Sequence, residues 1–264
     1  MMRDSNRIQS QITNHQSQMF TQWMGELEAR HLADLRVQEV TRALRALSAR
    51  YVTRRGDDVQ RSLDTKGKRA AFALYYGPLH FLTTDLVVRA LGAHARAPAS
   101  SLDIGCGTGA AGAAWALAAG GSVEVAGIDR HAWAVDEARW TYRALGLRGR
   151  ARQGDAARLP AQRKGSAILA AYLLDELEDE SRTSLVETFL EAAGNGTRIL
   201  IIEPISRSIS PWWDATASRL ASVGGRADEW RFPAELPPIL RLLDKAAGLD
   251  HRELTARSIY IPEA

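Results

Sequence analysis

The sequence predicts an α/β fold built on a doubly wound, mostly parallel sheet and preceded by a helical N-terminal extension. From residue 100 onward, apolar runs typical of strands alternate with helical segments, as in a parallel sheet covered on both faces. Residues 102–109 read LDIGCGTG, an apolar strand that ends in an acidic residue and then in three alternate glycines. Glycines at these positions allow a sharp strand-to-helix turn that a nucleotide-type ligand can approach closely.

The N-terminal third is predicted to be helical. Apolar residues recur at helical spacing over residues 16–50, a break is expected at 55–58, and a second helical stretch over 66–93 is interrupted at 77–78. We therefore divide the chain into a helical N-terminal extension or lid, residues 1–97, and an α/β domain, residues 98–264.

The α/β domain is predicted to contain five parallel strands and the helices between them. The strands are expected at 100–104, 123–128, 151–153, 167–173 and 198–203, with helices at 109–119, 132–145 and 179–193. Beyond residue 203 the strand order stays open; residues 211–223 and 237–247 read as helices, and 252–261 alternates like an antiparallel edge strand.

Composition excludes several classes of protein. The 264 residues, 45% of them apolar, can bury a large core. There is no apolar run of about 18 residues that could span a bilayer, and the polar start lacks the apolar region of a signal peptide. We expect a soluble, cytoplasmic protein with no membrane association. The single cysteine, Cys106, has no partner for a disulfide or a metal cluster, so no metal is expected.

Positive charge is concentrated before the glycine run. Residues 1–69 contain 13 Lys/Arg and 8 Asp/Glu, although the whole chain has a net charge of only +3. The basic residues of this region could contact RNA phosphates, or they could form an ordinary solvated helix face. The residues in question are Arg50, Arg54, Arg55, Lys66, Lys68 and Arg69.

The glycine run alone does not identify the cofactor. Residues 107–112 match the dinucleotide pattern G-x-G-x-x-G, and Asp129 follows at the end of the second strand, so an NAD enzyme is one alternative. Two further carboxylates favour a different ligand. Asp103 would repel a pyrophosphate but suits a ligand with an ammonium and a sulfonium group. Asp155 adds a carboxylate at the same carboxyl edge of the sheet.

Four motifs in order and register make the chain similar to the class I S-adenosylmethionine-dependent methyltransferases. They are residues 102–109, 127–129, 153–156 and 170–175. The resemblance implies a Rossmann-like fold over about residues 100–203 and S-adenosyl-L-methionine as the cofactor. It also implies roles for individual residues, all of them at the carboxyl edge of the sheet.

By this resemblance, the three glycines Gly105, Gly107 and Gly109 line the methionine part of the cofactor and Asp103 helps to hold its ammonium group. Asp129 accepts hydrogen bonds from both ribose hydroxyls, unless it only caps the following helix. Asp155 receives the adenine amino group, unless it is a turn residue, and Ala156 supplies a backbone N–H. Tyr172, in the fourth motif, is also expected at the cofactor.

The catalytic residues stay open. Methyl transfer from a sulfonium chiefly needs an aligned acceptor and the exclusion of water, and a base only if the acceptor is protonated. The candidates on the acceptor side are Tyr76, His80, Tyr172 and Asp175, followed by Tyr75, Glu203, Trp212 and Trp213. Each has a simpler role as a packing residue, and Asp175 and Glu176 could begin a helix.

A second resemblance is fainter. Residues 46–51, 75–76, 171–177 and 202–204 are similar to the methyltransferase-like family associated with the small ribosomal subunit. Members of that family carry cysteines linked to an iron–sulfur or zinc site, which this sequence lacks.

The sequence therefore predicts a methyltransferase with an unidentified acceptor, slightly favouring a small molecule. The alternatives are an RNA- or ribosome-binding methyltransferase-like protein and, more distantly, an NAD-dependent oxidoreductase. The oligomeric state is left open.

Overall fold

The structure, a computed structural model, describes residues 2–53, 63–156 and 159–263. Its strands are β1 (Ser100–Ile104), β2 (Glu124–Asp129), β3 (Gly149–Gln153), β4 (Ala167–Ala171), β5 (Arg198–Glu203), β6 (Arg226–Pro233) and β7 (Glu253–Ile261). Its helices are α1 (Met2–His31), α2 (Val37–Thr53), α3 (Lys66–Ala71), α4 (Gly77–Ala90), α5 (Ala110–Ala118), α6 (Ala132–Ala144), α7 (Asp179–Gly194), α8 (Trp213–Ala221) and α9 (Pro238–Ala247). A π-helical turn, Phe72–Tyr76, joins α3 to α4, and a 3-10 turn, Leu174–Glu176, follows β4.

The seven strands form one sheet in the order β3-β2-β1-β4-β5-β7-β6. The first five strands are parallel, and β7 runs antiparallel to both β5 and β6. Every residue of β4 and β5 is buried, which explains why these strands are continuous apolar runs rather than alternating ones. The predicted doubly wound, mostly parallel α/β fold is confirmed, and the strand order reverses between β1 and β4.

The single helix predicted for residues 16–50 is wrong. The structure has two helices, α1 and α2, separated by a bend at residues 32–36. The Glu39 carboxylate accepts a hydrogen bond from the Arg36 backbone N–H at 2.8 Å, as in one half of a capping box, and so fixes the start of α2. The break predicted at residues 55–58 lies outside the described residues.

The interruption predicted at Gly77 and Pro78 is also wrong, because residues 66–90 form one continuous helical stretch. The π-helical turn ends where the Gly77 N–H donates to the Phe72 carbonyl, and Pro78 follows in the first turn of α4. Gly77 permits a close approach to the glycine run, since a Cβ there would lie 2.9 Å from Thr108 Oγ1. The chain therefore widens its helix at this point instead of ending it.

The sequence predicts that the C-terminal strand lies at the edge of the sheet, and this prediction is wrong. β7 lies between β5 and β6, so that Glu203 pairs with Arg257 and Arg226 pairs with Tyr260. The edge strand is β6, for which the sequence predicted no element; four of its eight residues are charged and none is buried.

The N-terminal helices share a hydrophobic core with the sheet domain. Trp23 and Leu44 belong to the same buried cluster as Val125 and Leu240. The Arg45 side chain donates to the Ala246 carbonyl oxygen, which ties α2 to α9. The boundary at residue 97 stays a prediction. Within the described segments of the chain, the helices are all too short or too polar to cross a membrane.

Candidate functional site

The glycine run forms a tight loop between β1 and α5. Gly105, Gly107 and Gly109 have φ angles of 63°, 51° and 75°, in the left-handed region that favours glycine. The loop is also crowded on its inner side: a Cβ at Gly105 would lie 2.6 Å from the Leu173 side chain, and one at Gly109 would lie 2.8 Å from Tyr142. Glycine is therefore required here both by backbone conformation and by packing.

Asp103 lies beneath the first turn of α5. Its side chain is 1% exposed, and its Oδ2 accepts a hydrogen bond from the Gly112 N–H at 3.0 Å. A Cβ at Gly112 would lie 2.6 Å from that oxygen, so the glycine makes room for the carboxyl group. Burial raises the pKa of Asp103 to about 7, against the opposing effect of the Gly112 hydrogen bond.

Asp129 ends β2 and connects two parts of the site. Its Oδ2 accepts a hydrogen bond from the Gly107 N–H at 2.8 Å, and its Oδ1 accepts one from the His131 N–H at 2.7 Å. His131 directly precedes α6, so the carboxylate helps to organise the start of that helix as well as the glycine loop. Burial raises the pKa of Asp129, although both hydrogen bonds oppose the shift.

Asp155 lies on the neighbouring β3 end of the same rim. It forms an exposed ion pair with Arg130 at 2.8 Å, and the Gly154 N–H donates to the Asp129 carbonyl oxygen at 2.9 Å. Ala156, which follows, is buried. The structure thus places the second and third carboxylate motifs side by side at the carboxyl edge.

Two aromatic residues that the sequence analysis did not single out lie against this rim. A Cβ at Gly107 would be 3.4 Å from the Phe72 ring, so the π-helical turn packs directly on the glycine loop. The Trp133 ring, in the first turn of α6, lies 6.5 Å from Phe72 between centroids and beneath the Arg69 guanidinium at 5.9 Å. Phe72 reaches the rim through tertiary packing, which no local pattern marks, whereas Trp133 follows Asp129 by four residues and could have been expected there.

Three of the candidate catalytic residues come together beside the glycine loop. The rings of His80 and Tyr172 stack with 4.0 Å between centroids and 15° between planes, and Tyr76 and Phe72 each lie 6.3 Å from His80. Burial lowers the pKa of His80 to about 3 and raises the pKa of Tyr172. Tyr172 has φ 58°, an uncommon conformation for an aromatic residue and one often found at functional sites.

Tyr75 lies at the border of this cluster: its ring is 5.3 Å from the Tyr76 ring between centroids, in an edge-on arrangement. Its hydroxyl donates to Asp244 and lies 3.1 Å from His251 Nδ1, between α9 and β7. The Tyr75 ring therefore packs beside Tyr76, whereas its hydroxyl is bound by Asp244 and His251.

Asp175 organises the segment that follows β5. It accepts hydrogen bonds from Ser210 Oγ and Trp212 Nε1, each at 2.9 Å. No side-chain hydrogen bond is described for its neighbour Glu176. Burial, and to a smaller extent the charges of Asp129 and Asp175, raise the pKa of Glu176 to about 8.

Glu203 and Trp213 lie deeper, on the face of the sheet that α7 and α8 cover. Glu203 is fully buried, and its Oε1 accepts a hydrogen bond from the Leu174 N–H at 2.7 Å. The Trp213 ring lies 5.2 Å from the Arg257 guanidinium. Glu203 nevertheless acts on the stacked pair, because its charge adds to burial in raising the pKa of Tyr172.

Comparison with known proteins agrees with this geometry. Residues 102–196 match a methyltransferase domain family. The fold is similar to that of the mitomycin 7-O-methyltransferase MmcR, at 17% identity and a TM-score of 0.50, covering 91% of this chain and 72% of that one. The plantazolicin methyltransferase BamL is 13% identical, with a TM-score of 0.50 and coverage of 86% and 98%. No curated protein sequence matches the chain.

Lower structural similarity is found to the magnesium protoporphyrin IX methyltransferase of Synechocystis PCC 6803 with bound S-adenosylmethionine, at 16% identity and a TM-score of 0.46, covering 70% of this chain and 80% of that one. The family match begins in β1 and includes the glycine loop, Asp129 and Tyr172, so the motifs and the fold agree. Residues 102–196 therefore match a methyltransferase domain on a Rossmann-like fold, and S-adenosylmethionine is the cofactor of this type of domain.

Proposed function

We propose that the protein transfers the methyl group of S-adenosylmethionine to a small-molecule acceptor, bound between the π-helical turn and the carboxyl ends of β4 and β5. The observation that carries the proposal is the stacked pair of His80 and Tyr172, which lies in an aromatic enclosure next to the glycine loop. An apolar enclosure suits a small organic acceptor better than a phosphate backbone.

The residues of the rim fit the proposed cofactor. The positive φ angles of the three glycines let a ligand approach the loop backbone without a side chain in the way. Each oxygen of Asp129 accepts one backbone N–H and keeps a further lone pair for a ribose hydroxyl. Beside it, His131 Nδ1 is buried and, within the described residues, has no hydrogen-bond partner. These features support Gly105, Gly107, Gly109 and Asp129 as cofactor-binding residues.

The roles of Asp103 and Asp155 follow from their different exposure. Asp103 is buried under α5 and already bonded to Gly112, so we propose that it acts through the shape of the glycine loop and the charge beneath it. Asp155 is half exposed and paired with Arg130, so binding of an adenine amino group by Asp155 would compete with that ion pair. Ala156 would offer its backbone N–H from the same turn.

The N-terminal helices would act as the lid of this site. Phe72 packs on Gly107, and Gly77 contacts Thr108, so the π-helical turn covers the loop proposed to hold the methionine part. Excluding water in this way favours methyl transfer, because the sulfonium then meets the aligned acceptor rather than solvent.

We propose His80 and Tyr172 as acceptor-positioning residues. With a pKa of about 3, His80 is neutral at physiological pH, so it is a weak base but can still hydrogen-bond a hydroxyl or an amine. Tyr76, whose hydroxyl lies 3.1 Å from Ser48 Oγ, would complete the wall on the side of α2. Asp175 would hold the loop after β5 in place through Ser210 and Trp212 rather than touch the acceptor.

The basic residues of the N-terminal segment give less support to an RNA acceptor. Lys68 forms an ion pair with Asp64 at 2.8 Å, and the Arg69 side chain donates to the Leu63 carbonyl oxygen at 2.8 Å. These contacts engage two of the cationic side chains that would otherwise be free to bind phosphates. Arg54 and Arg55 lie outside the described residues.

Calorimetry tests the cofactor, and salt titration tests the acceptor class. S-adenosylhomocysteine should bind at micromolar strength and NAD should not; the opposite result would refute the proposal. Ribosomal RNA should bind only feebly in a filter assay at two salt concentrations. Sub-micromolar binding that falls steeply with salt would replace the small-molecule acceptor with RNA.

Mass spectrometry of molecules that co-purify with the protein would then identify candidate acceptors. An acceptor found in this way should gain one methyl group when it is incubated with the protein and S-adenosylmethionine.

A further inference from the structure

The last strand of the sheet, β6, has one side without a partner strand. β6 pairs with β7 alone, and within the described residues no further strand lies beside it. The N–H of Ala234, directly after β6, donates to the carbonyl oxygen of Arg252, directly before β7, at 2.9 Å. Because the backbone groups of successive strand residues point to alternate sides, the even-numbered residues of β6 bond to β7 and the odd-numbered residues face outward. The outward N–H groups are those of Ala227, Glu229 and Arg231.

Pro233 and the exposure of the outward residues are typical of a free strand edge. Pro233 is at an outward position, so the N–H that proline lacks would not have bonded to β7. Ala227, Glu229, Arg231 and Pro233 are all exposed. Such a row of unpaired backbone groups can pair with a strand of another chain, and the side chains along it decide which strand fits.

Two-fold symmetry limits how β6 could pair with β6 of a second copy. Two identical antiparallel strands are related by a two-fold axis perpendicular to the sheet, and this axis leaves each side chain on the same face. Residues opposite each other in an antiparallel pair also share a face. The symmetric registers are therefore those in which one residue, at the axis, lies opposite its own copy.

Only one of the longer symmetric registers avoids like charges at the axis. Registers that pair five residues or more have Asp228, Glu229, Trp230 or Arg231 at the axis. Three of these four residues are charged, so each would face an identical charge, which destabilises a strand pair. With Trp230 at the axis, two indole rings face each other, and Glu229 lies opposite the partner's Arg231.

We propose that the protein forms a homodimer through this edge, with β6 of two copies paired antiparallel around Trp230. In this register the outward N–H groups of β6 donate to carbonyl oxygens of the second copy. Ala227 donates to the partner's Pro233, Glu229 to the partner's Arg231, and Arg231 to the partner's Glu229. The two seven-stranded sheets then form one continuous sheet.

Charged side chains would add ion-pair networks to these backbone bonds. Within one copy, Glu229 pairs with Arg207 at 3.3 Å and Arg231 pairs with Glu253 at 3.2 Å. Both pairs are exposed, so each is weak on its own. Across the axis, the charges of Arg207, Glu229, the partner's Arg231 and the partner's Glu253 alternate in sign. A network of several charges contributes more than isolated surface pairs do.

The opposite edge of the sheet does not share this self-complementarity. Arg150 and Arg152 lie in β3, and Arg148 directly precedes it. Each symmetric register with residue 149, 150, 151 or 152 at the axis places one arginine opposite another. Charge of this kind protects an edge strand from pairing, so we expect self-association at β6 and not at β3.

The proposed interface is distant from the cofactor rim. β7, β5 and β4 separate β6 from β1, which carries the glycine loop. Dimer formation therefore goes beyond the proposed function, and neither depends on the other.

Sedimentation velocity of the full chain at rising concentration tests the dimer. The wild type should shift from monomer to dimer. Glu229→Arg brings two positive charges together across the axis and Arg231→Glu brings two negative charges together, so each should weaken dimerisation at least tenfold. Arg226→Glu is the matched control, because it reverses the charge of a β6 residue outside the paired region, and it should leave dimerisation nearly unchanged.

A mixture of the two weakened variants tests the register itself. In Glu229→Arg both positions 229 and 231 are positive, and in Arg231→Glu both are negative, so a heterodimer has opposite charges at both contacts. An equimolar mixture should therefore dimerise about as strongly as the wild type, whereas each variant alone should not. The melting temperatures of the variants should stay close to that of the wild type, because both residues are exposed.

Hydrogen exchange measured by NMR locates the contact. Amide exchange at Ala227, Glu229 and Arg231 should slow as the protein concentration rises. Exchange at Asp228 and Trp230, whose backbone groups face β7, should change much less.

A wild type that stays monomeric at every concentration would overturn the proposal. A dimer that both single variants leave intact would also overturn it, as would a mixture that forms no more dimer than its components do. S-adenosylhomocysteine should bind equally to the wild type and to all three variants. Failure of the wild type to bind it would refute the proposed function alone, since dimerisation is measured independently.

Discussion

The Asp129 carboxylate holds the Gly107 N–H at 2.8 Å, so the residue proposed to bind the ribose also fixes the loop proposed to bind the methionine part. The same side chain holds the His131 N–H at 2.7 Å. Asp129 can therefore both bind a ligand and cap the helix. One of its oxygens is bonded to the glycine loop and the other to the start of α6.

Replacing Asp129 should affect both binding and stability. Asp129→Ala removes an acceptor whose hydrogen bonds are each worth about 1.5–3 kcal/mol, so S-adenosylhomocysteine should bind at least tenfold more weakly by calorimetry. The apo protein should also melt at a lower temperature, since two backbone N–H groups lose their acceptor. Asp129→Asn keeps one acceptor oxygen, so its affinity for S-adenosylhomocysteine and its melting temperature should lie between those of the wild type and Asp129→Ala. Unchanged affinity with a lower melting temperature would leave only the capping role.

Gly109 should tolerate a side chain less well than Gly120. Both have positive φ, 75° and 95°, but a Cβ at Gly109 would meet Tyr142 at 2.8 Å, whereas nothing lies within 4 Å at Gly120. Gly120→Ala should cost only the backbone strain of about 1–2 kcal/mol. Gly109→Ala adds overpacking of about 1–3 kcal/mol and should also weaken S-adenosylhomocysteine binding. Urea unfolding of the two variants measures the difference; equal losses would contradict the packing argument.

Glu137 should stabilise the attachment of α1. This fully buried carboxylate on α6 lies 2.7 Å from His31 Nε2 and 3.2 Å from Arg30 Nη2. Burial alone would raise the pKa of Glu137, but His31 and Arg30 outweigh it and the pKa is lowered. The stabilisation is therefore present above the unfolded pKa and is lost as the pH falls through the lower, folded pKa.

Glu137→Gln should lower the free energy of unfolding at pH 7 by about 1.5–3 kcal/mol, the range for hydrogen bonds to a charged group, since the Arg30 side chain that loses its partner is partly exposed. The loss relative to the wild type should shrink in acid. Urea unfolding at pH 7 and pH 3 measures both effects, and a loss that does not depend on pH would show that the ion pair is not its cause.

His80 should make the free energy of unfolding depend on pH in weak acid, below pH 6.5. Its folded pKa of about 3 lies below the unfolded value of 6.5, so the unfolded chain binds the proton first as the pH falls. Each pH unit below 6.5 should then cost up to about 1.4 kcal/mol. His80→Gln cannot take up this proton, and its stability should fall less steeply between pH 6.5 and 4. Parallel pH profiles of the two proteins would show that His80 titrates normally.

The parts of the fold that follow from the sequence are those governed by local pattern. β5 was predicted with its observed bounds, because a fully buried strand is a continuous apolar run bounded by polar residues. β6 was missed, since four of its eight residues are charged and none is buried, and pairing with β7 holds it in the sheet. The bend between α1 and α2 was also missed, because apolar spacing continues across it and the Glu39 contact is a matter of three-dimensional structure.

In the candidate site, too, the residues set by local pattern were predictable and those placed by tertiary packing were not. The glycine loop and Asp129 were predictable, because the loop requires glycine locally and the acidic residue directly follows a strand. Phe72 was not, since it reaches the loop from an element far away in sequence. The sequence grouped Tyr75 with Tyr76, but the Tyr75 hydroxyl donates to Asp244. Adjacent residues of a helix point to different sides, so adjacency in sequence does not place two hydroxyl groups in one site.

The packing of α2 on α9 has a consequence for how the chain acquires its structure. Arg45 meets Ala246, and Leu44 shares a buried cluster with Leu240, across about two hundred residues of intervening chain. During synthesis α2 emerges early with its apolar stripe uncovered, and that stripe stays uncovered until α9 has left the ribosome. Contacts of such long sequence separation slow folding. A nascent chain stalled before residue 238 should therefore be more susceptible to proteolysis in α2 than the released protein.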